Sequence, residues 1–319
     1  MLGLLGLGAQ AQAAPRKARV AFLGGGVGLA DPGMQRTMAN PFRQGLREAG
    51  YVEGQNLEIE WRLAEGKPER LPALLAELLA WGPDVLVTSG PRPALLAKEA
   101  TRSLPIVAAA VDDPVAMGLA ASHARPGGNI TGVSLAFEGI LPRRLQLLKD
   151  LVPEARRLGV LINPVSLSRV DLERDFGEVA RKAGVQLLVF EARGPEDFDA
   201  AFAAIARERV DILAVLAEAT FYVHRVRLIE LSLKQRLPSA WGGRDYVEAG
   251  GLLSFQGDFA TVYRRAAGQV DKILKRANPA EMPFEQSSKL ELALNLRTAR
   301  LLGLKVPQSV LVSADEVIE

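Results

Sequence analysis

The chain has 319 residues, more than one hydrophobic core ordinarily organises, so about two domains are expected. Its 48% hydrophobic and 24% charged residues are the make-up of a folded protein, and its 39 Lys plus Arg, scattered against 37 Asp plus Glu, exclude electrostatic capture of nucleic acid. The absence of cysteine removes disulfides, thiolate nucleophiles, Cys-based metal sites and lipid attachment through an N-terminal Cys.

Residues 1–14 carry the apolar run Leu2-Gly3-Leu4-Leu5-Gly6-Leu7-Gly8 followed by Ala11-Gln12-Ala13, the small-x-small pattern that signal peptidase accepts. An export signal is the expectation. No Lys or Arg precedes the run, so either the basic start of the signal lies upstream or the segment is an apolar tail. No later stretch approaches the roughly 18 to 20 apolar residues of a membrane span, and a soluble product in the periplasm is expected.

From Arg19 onward short apolar runs alternate with amphipathic stretches. Val20 to Leu23 reads as a strand, Pro41 to Gly50 as a helix, Leu57 to Trp61 as a strand, Pro68 to Trp81 as a helix and Val85 to Val87 as a strand. Apolar strands joined by helices of ten or more residues predict a parallel sheet covered on both faces, an α/β doubly wound fold. The pattern then recurs at an offset of about 130 residues. Gly50-Tyr51-Val52 before one strand matches Gly184-Val185-Gln186 before strand Leu187 to Glu191. Gly66-Lys67-Pro68-Glu69 matches Gly194-Pro195-Glu196-Asp197, each opening a helix. Pro83-Asp84-Val85-Leu86-Val87 matches Val210-Asp211-Ile212-Leu213-Ala214-Val215, and Leu104-Pro105-Ile106-Val107 matches Leu237-Pro238-Ser239-Ala240. Two such lobes with no long flexible linker should face each other across a cleft. Its walls are then the strand ends: Gly24-Gly25-Gly26, Ser89-Gly90 and Asp112-Asp113-Pro114 in the first lobe, and Asn163-Pro164, Ala217-Glu218 and Trp241-Gly242-Gly243-Arg244 in the second.

The stretches Phe42 to Asn56, Asp113-Pro114-Val115, Ala124-Arg125-Pro126-Gly127-Gly128-Asn129-Ile130-Thr131-Gly132 and Ala314-Asp315-Glu316-Val317-Ile318 resemble the substrate-binding proteins of ABC importers, in the group that includes tryptophan/tyrosine-type receptors. The resemblance runs from about Arg19 to the C-terminus. It implies a type I periplasmic-binding-protein fold whose lobes are joined by several crossing strands, with a small molecule trapped by hinge closure and handed to a permease of the inner membrane. The implied lobes are 19–132 plus about 254–277, and 133–253 plus about 278–319. A monomer is expected, with no cofactor.

Each wall residue has a binding role and a plainer one. Gly24 to Gly28 follows a strand, yet no phosphate-binding glycine spacing can be drawn through it, so Gly25 belongs to a loop facing the ligand. Ser89 and Gly90 could hold a ligand carboxylate at a helix N-terminus or simply cap the helix. Asp112 and Asp113 suit a ligand ammonium or a turn; as neighbours on an extended chain they point apart and make a poor acid-base pair. Asn163 could meet a ligand or make a turn. Glu218 could read an amine, while Tyr222 and Trp241 could stack on an aromatic ligand or pack in the lobe core. Arg244, after Gly242-Gly243, could clasp a carboxylate by its planar fork or form a surface ion pair. His123 and His224 lack partners at metal spacing, and Ser134 sits in no nucleophile elbow. The reading is a non-enzymatic receptor for an amino acid-like or aromatic carboxylate solute. The alternatives are an exported α/β enzyme and a ligand-sensing domain.

Overall fold

The computed structural model describes residues 16–135, 139–165 and 169–319, so the expected export signal over 1–14 lies outside the described residues. The first lobe begins with β1 (Ala18–Gly24), β2 (Leu57–Leu63), β3 (Val85–Ser89), β4 (Ile106–Val111) and β5 (Ile130–Leu135). The second holds β6 (Arg157–Ile162), β7 (Gln186–Glu191), β8 (Ile212–Val215), β9 (Ser239–Trp241) and β10 (Leu253–Gly257). The chain then returns to the first sheet for β11 (Glu285–Ser287) and ends in the second with β12 (Leu290–Asn295) and β13 (Glu316–Ile318). The sheet orders are β2-β1-β3-β4-β5-β11 and β7-β6-β8-β9-β10-β12-β13. The first five strands of each lobe are thus laid out identically, and the repeat seen in the sequence is a repeat in space. All strand pairs are parallel except β10 with β12, which is antiparallel.

The same local devices fix both halves. Asp84, just before β3, takes the Arg19 amide of β1 at 2.8 Å, and Asp211, just before β8, takes the amides of Arg157 in β6 and of Arg156 just ahead of it, both at 2.8 Å. Central strands are sealed on both faces: Val20, Ala21, Phe22 and Leu23 are fully buried, as the continuous apolar run requires. Helices Asn40–Glu48 and Phe259–Leu274 cover one face of the first sheet, and Leu71–Trp81 with Pro91–Ala100 cover the other. Phe22, Phe42 and Trp61 meet at centroid distances of 4.5 to 5.9 Å in the first core. Phe22 and Phe42, fully buried, contribute roughly 1.5–3 kcal/mol each. Gly45 lets the two helices on that face cross closely, since a Cβ there would stand 2.7 Å from the Arg264 carbonyl oxygen.

The crossings between lobes fall later than the sequence suggested. β5 stays paired with β4 as far as Ser134, across a register shift between Ala109 and Val111, so the first lobe runs to Leu135 rather than 132. Ser254 belongs to β10, held between β9 and β12 in the second sheet, and only from Asp258 does the chain rejoin the first lobe. Segment 278–287 stays there, because β11 pairs with β5 through Glu285, Gln286 and Ser287. Asp258 and Lys289 clamp these two crossings together by a 2.9 Å ion pair and a 2.9 Å backbone hydrogen bond.

Candidate functional site

In open α/β sheets a ligand sits beyond the carboxyl ends of the strands, where the strand order reverses. Both sheets reverse between their first and third strands, at β1/β3 and β6/β8. These ends face one another across a cleft of about 1270 Å³, with Gly25, Ser89, Asp112 and Ser134 on one wall and Asn163, Glu218, Gly243 and Gln256 on the other.

The two walls are bridged by side chains. Arg225 of the second lobe pairs with Asp31 of the first at 2.7 Å, and Arg36 of the first lobe pairs with Asp245 and, at 2.6 Å, with Glu248 of the second. Between these pairs the Tyr222 hydroxyl lies 2.8 Å from Asp245 and 3.2 Å from Asp31, and the Thr220 hydroxyl donates to the Gly66 carbonyl at 3.0 Å. Burial works against an ionised Asp31, but Arg225, the Met34 amide and Tyr222 outweigh it and hold the carboxyl below its ordinary range. Burial, then the facing Asp245, drives the Tyr222 phenol the other way, so it stays a neutral donor. The lobes are therefore closed on each other here.

Several expected site residues line this cleft already committed to a neighbour. The Ser89 hydroxyl lies 2.5 Å from that of Tyr263 and caps no helix. Asp113 takes the Val115 and Ala116 amides at 2.8 and 3.3 Å, with His123 at 3.2 Å; these amides, Val115 first, lower its pKa. Asp112 makes no such turn. Its side chain opens on the cleft, and desolvation by the surrounding walls raises its pKa. Asn163 makes a turn, accepting the Val165 amide at 3.0 Å. Glu218 caps the helix Ala219–Val223, taking the Thr220 and Phe221 amides at 2.6 and 3.2 Å.

Arg244 is not free to clasp a carboxylate, because its guanidinium is shared between Glu248 at 2.9 Å and Glu316 at 2.7 Å. Gly90, at φ +92°, makes the turn into helix Pro91–Ala100 between Ser89 and Pro91, which line the cleft. One further expectation fails: Trp241 is fully buried in the second-lobe core, stacked on Tyr246 with centroids 5.5 Å apart. A strand of three residues flanked by β8 and β10 points that ring inward, so it cannot stack on a ligand.

The residue that sequence reasoning missed is Arg144. It lies on helix Ile140–Leu151, is 2% exposed and lines the cleft. Its Nε donates to the Phe255 carbonyl at 2.9 Å and one terminal nitrogen reaches the Val215 carbonyl at 3.5 Å. No carboxylate among the described residues pairs with it, and burial, countered only by Tyr246, brings its pKa down to about 10. The same cleft is lined by Tyr246 and Gln256, and among the described residues the buried Tyr246 hydroxyl and the Gln256 side-chain oxygen and nitrogen have no hydrogen-bond partner. A signal was present: Ile140, Arg144, Leu147, Leu148 and Leu151 form one apolar helical stripe with an arginine in it. Among the described residues no group of three or more His, Cys, Asp or Glu could hold a metal ion, and no helix is long and apolar enough to cross a membrane.

The family model described as ABC transporter substrate binding protein matches residues 27–318. A tyrosine-binding protein of Clostridioides difficile is 22% identical over 267 residues, covering 83% of this chain and 76% of that protein. A conserved domain protein from Vibrio cholerae superposes with a TM-score of 0.86 at 28% identity, over 95% of this chain and all of that one. A domain from Streptococcus pneumoniae solved in complex with L-Trp gives the same TM-score at 26% identity, again over 95% and 100%.

Proposed function

The chain belongs to the ABC transporter substrate binding protein family, and from that premise we propose that it is a periplasmic receptor for an aromatic amino acid, captured by hinge closure and passed to an inner-membrane permease. Family members bind and release a solute without transforming it, which sets aside the enzymatic alternative. The observation that carries the reading is the cleft itself: two repeated lobes present their strand ends to one another and are bridged by ion pairs running from each to the other. Contacts made only when the lobes meet give a ligand that touches both walls the differential affinity that closure requires.

The aromatic assignment rests on the tyrosine-binding relative and the L-Trp complex, and it suits the apolar parts of the walls, among them Met34, Leu63, Leu135 and Phe259. Asp112 is the group we assign to the ligand ammonium. Its carboxylate stands in the cleft, unlike Asp113, which is engaged in a turn. Titration calorimetry with L-tryptophan, L-tyrosine and L-phenylalanine beside pentoses, hexoses and nucleosides tests this. A dissociation constant of about 10 μM or tighter for an aromatic amino acid, with the compound recovered unchanged, supports the reading. Tighter binding of a sugar or nucleoside, or conversion of any compound, overturns it.

A further inference from the structure

We propose that Arg144, Tyr246 and Gln256 form a subsite on the second-lobe wall for one anionic group of the ligand, a carboxylate. The inference deepens the receptor reading and rests on it. A guanidinium withdrawn from water is costly unless an anion compensates it, and the other buried or bridging arginines near the cleft have such partners: Arg225 has Asp31, Arg36 has Asp245 and Glu248, and Arg244 has Glu248 and Glu316. Arg144 is more buried than any of these, and among the described residues its partners are two carbonyl oxygens, those of Phe255 and Val215.

Those two bonds use the Nε hydrogen and one terminal hydrogen, leaving donors of the planar fork over. One of the carbonyls that hold it, that of Val215, is at the carboxyl end of β8, where a ligand is expected, and the other, that of Phe255, is in the middle of β10. The neighbouring orphan groups are of the matching kind. The Tyr246 hydroxyl is a buried donor, and the Gln256 amide, on the strand that supplies the Phe255 carbonyl, adds an N–H donor and an oxygen for a further ligand group. Most buried polar groups are paired in folded proteins, and although others such as Thr88 and Ser287 also lack partners, the Tyr246 and Gln256 groups line the same cleft as an arginine with donors left over, which together mark a place for a ligand group. A single carboxylate balances the single charge, accepts from two donors at once by its fork geometry and, in an amino acid, leaves the ammonium free for the opposite wall. Arg144 and Asp112 stand on different lobes, so a zwitterion spanning them joins the two walls.

The test uses the full chain with matched pairs: L-tryptophan against L-tryptophanamide, L-tyrosine against L-tyrosinamide, L-leucine against L-leucinamide, with inorganic phosphate as a separate anion. The expected result is an acid bound about 100-fold or more tightly than its amide, a preference that disappears in Arg144→Met. Ligand-free Arg144→Met should melt no lower than the parent, because an uncompensated buried cation has been replaced by a side chain of similar volume. Gln256→Leu, which also removes orphan polar atoms, gives the same test if the arginine variant does not fold: unchanged or higher melting temperature, weaker preference for the acid. Equal affinity for acid and amide overturns the subsite while leaving the receptor reading standing. Tighter binding of phosphate than of any carboxylate overturns the carboxylate assignment. If no acid binds, the aromatic reading falls and the melt alone decides: a drop of more than about 5 °C in Arg144→Met shows a strut holding the strand ends and overturns the subsite, and an unchanged or higher value supports a counter-charge site.

Discussion

Gly33 offers the sharpest perturbation of closure. It lies just after Asp31 on the first-lobe side of the bridge, and its backbone is helical, so alanine is conformationally acceptable there. A Cβ built on it stands 2.4 Å from the Tyr222 hydroxyl and 2.8 Å from the Asp245 carboxylate, both on the other lobe. Carbon and oxygen need well over 3 Å, so the wall must retreat by roughly 1 Å, enough to break the Tyr222 bridge between Asp31 and Asp245. A hydrogen bond to a charged group contributes roughly 1.5–3 kcal/mol. If it exists only in the closed form, its loss appears in full in the binding constant, as a weakening of about 10- to 150-fold. The effect on the lobe itself has the opposite sign, since Gly→Ala in a helix stabilises by about 0.5–1 kcal/mol. Calorimetry of Gly33→Ala with the aromatic amino acid that binds the parent, together with small-angle scattering at rising ligand concentration, should show weakened affinity and compaction delayed to higher ligand, with no loss of melting temperature. Parental affinity in Gly33→Ala would refute the claim that the bound lobes pack as they do here.

Two further outcomes follow from the same geometry. Asp31 titrates below its ordinary value of 3.8 when paired, so the Asp31–Arg225 bridge is complete above that pH and is lost only as the pH falls through the depressed value. A double-mutant cycle of Asp31→Asn with Arg225→Gln, read in ligand affinity, should give a coupling of about 1 kcal/mol that is constant from pH 8 to pH 5; a coupling that fades between pH 7 and pH 5 would show that another group controls closure. Trp241→Phe should leave ligand affinity within about twofold, whereas Trp241→Ala should cost about 3–5 kcal/mol of stability. A selective loss of affinity in the phenylalanine variant, with stability intact, would return Trp241 to the site.

The fold was legible because its signals are local. Continuous apolar runs such as Val20 to Leu23 can only be strands buried on both faces, and the helices between them force parallel pairing. Asp84 and Asp211, at matching places in the two repeats, make the same hydrogen bonds in both lobes. The crossing points were harder. Whether Ser254 or Glu285 sits in one sheet or the other depends on strand neighbours far along the chain, and the local pattern of a short edge strand is the same in either.

The site divides along the same line. Topology puts ligands at strand ends, and the sequence therefore located Gly25, Ser89, Asp112, Asn163, Glu218 and Gly243 around a common space. It could not say which of its candidate groups were already spent, because the partners are distant: Glu316 neutralises Arg244, Tyr263 meets Ser89, and Asp31 lies 191 positions from Tyr222. An arginine in an apolar stripe was visible at Arg144, but its lack of a compensating acid among the described residues is a fact of three-dimensional neighbourhood. By itself the sequence determined the two repeated α/β lobes and the rim of the cleft between them, since periodicity and strand ends are properties of the chain. Only the tertiary structure decided which charges face each other across that cleft and which buried arginine has no carboxylate paired with it among the described residues, since pairing and burial are set by elements the chain brings together from far apart.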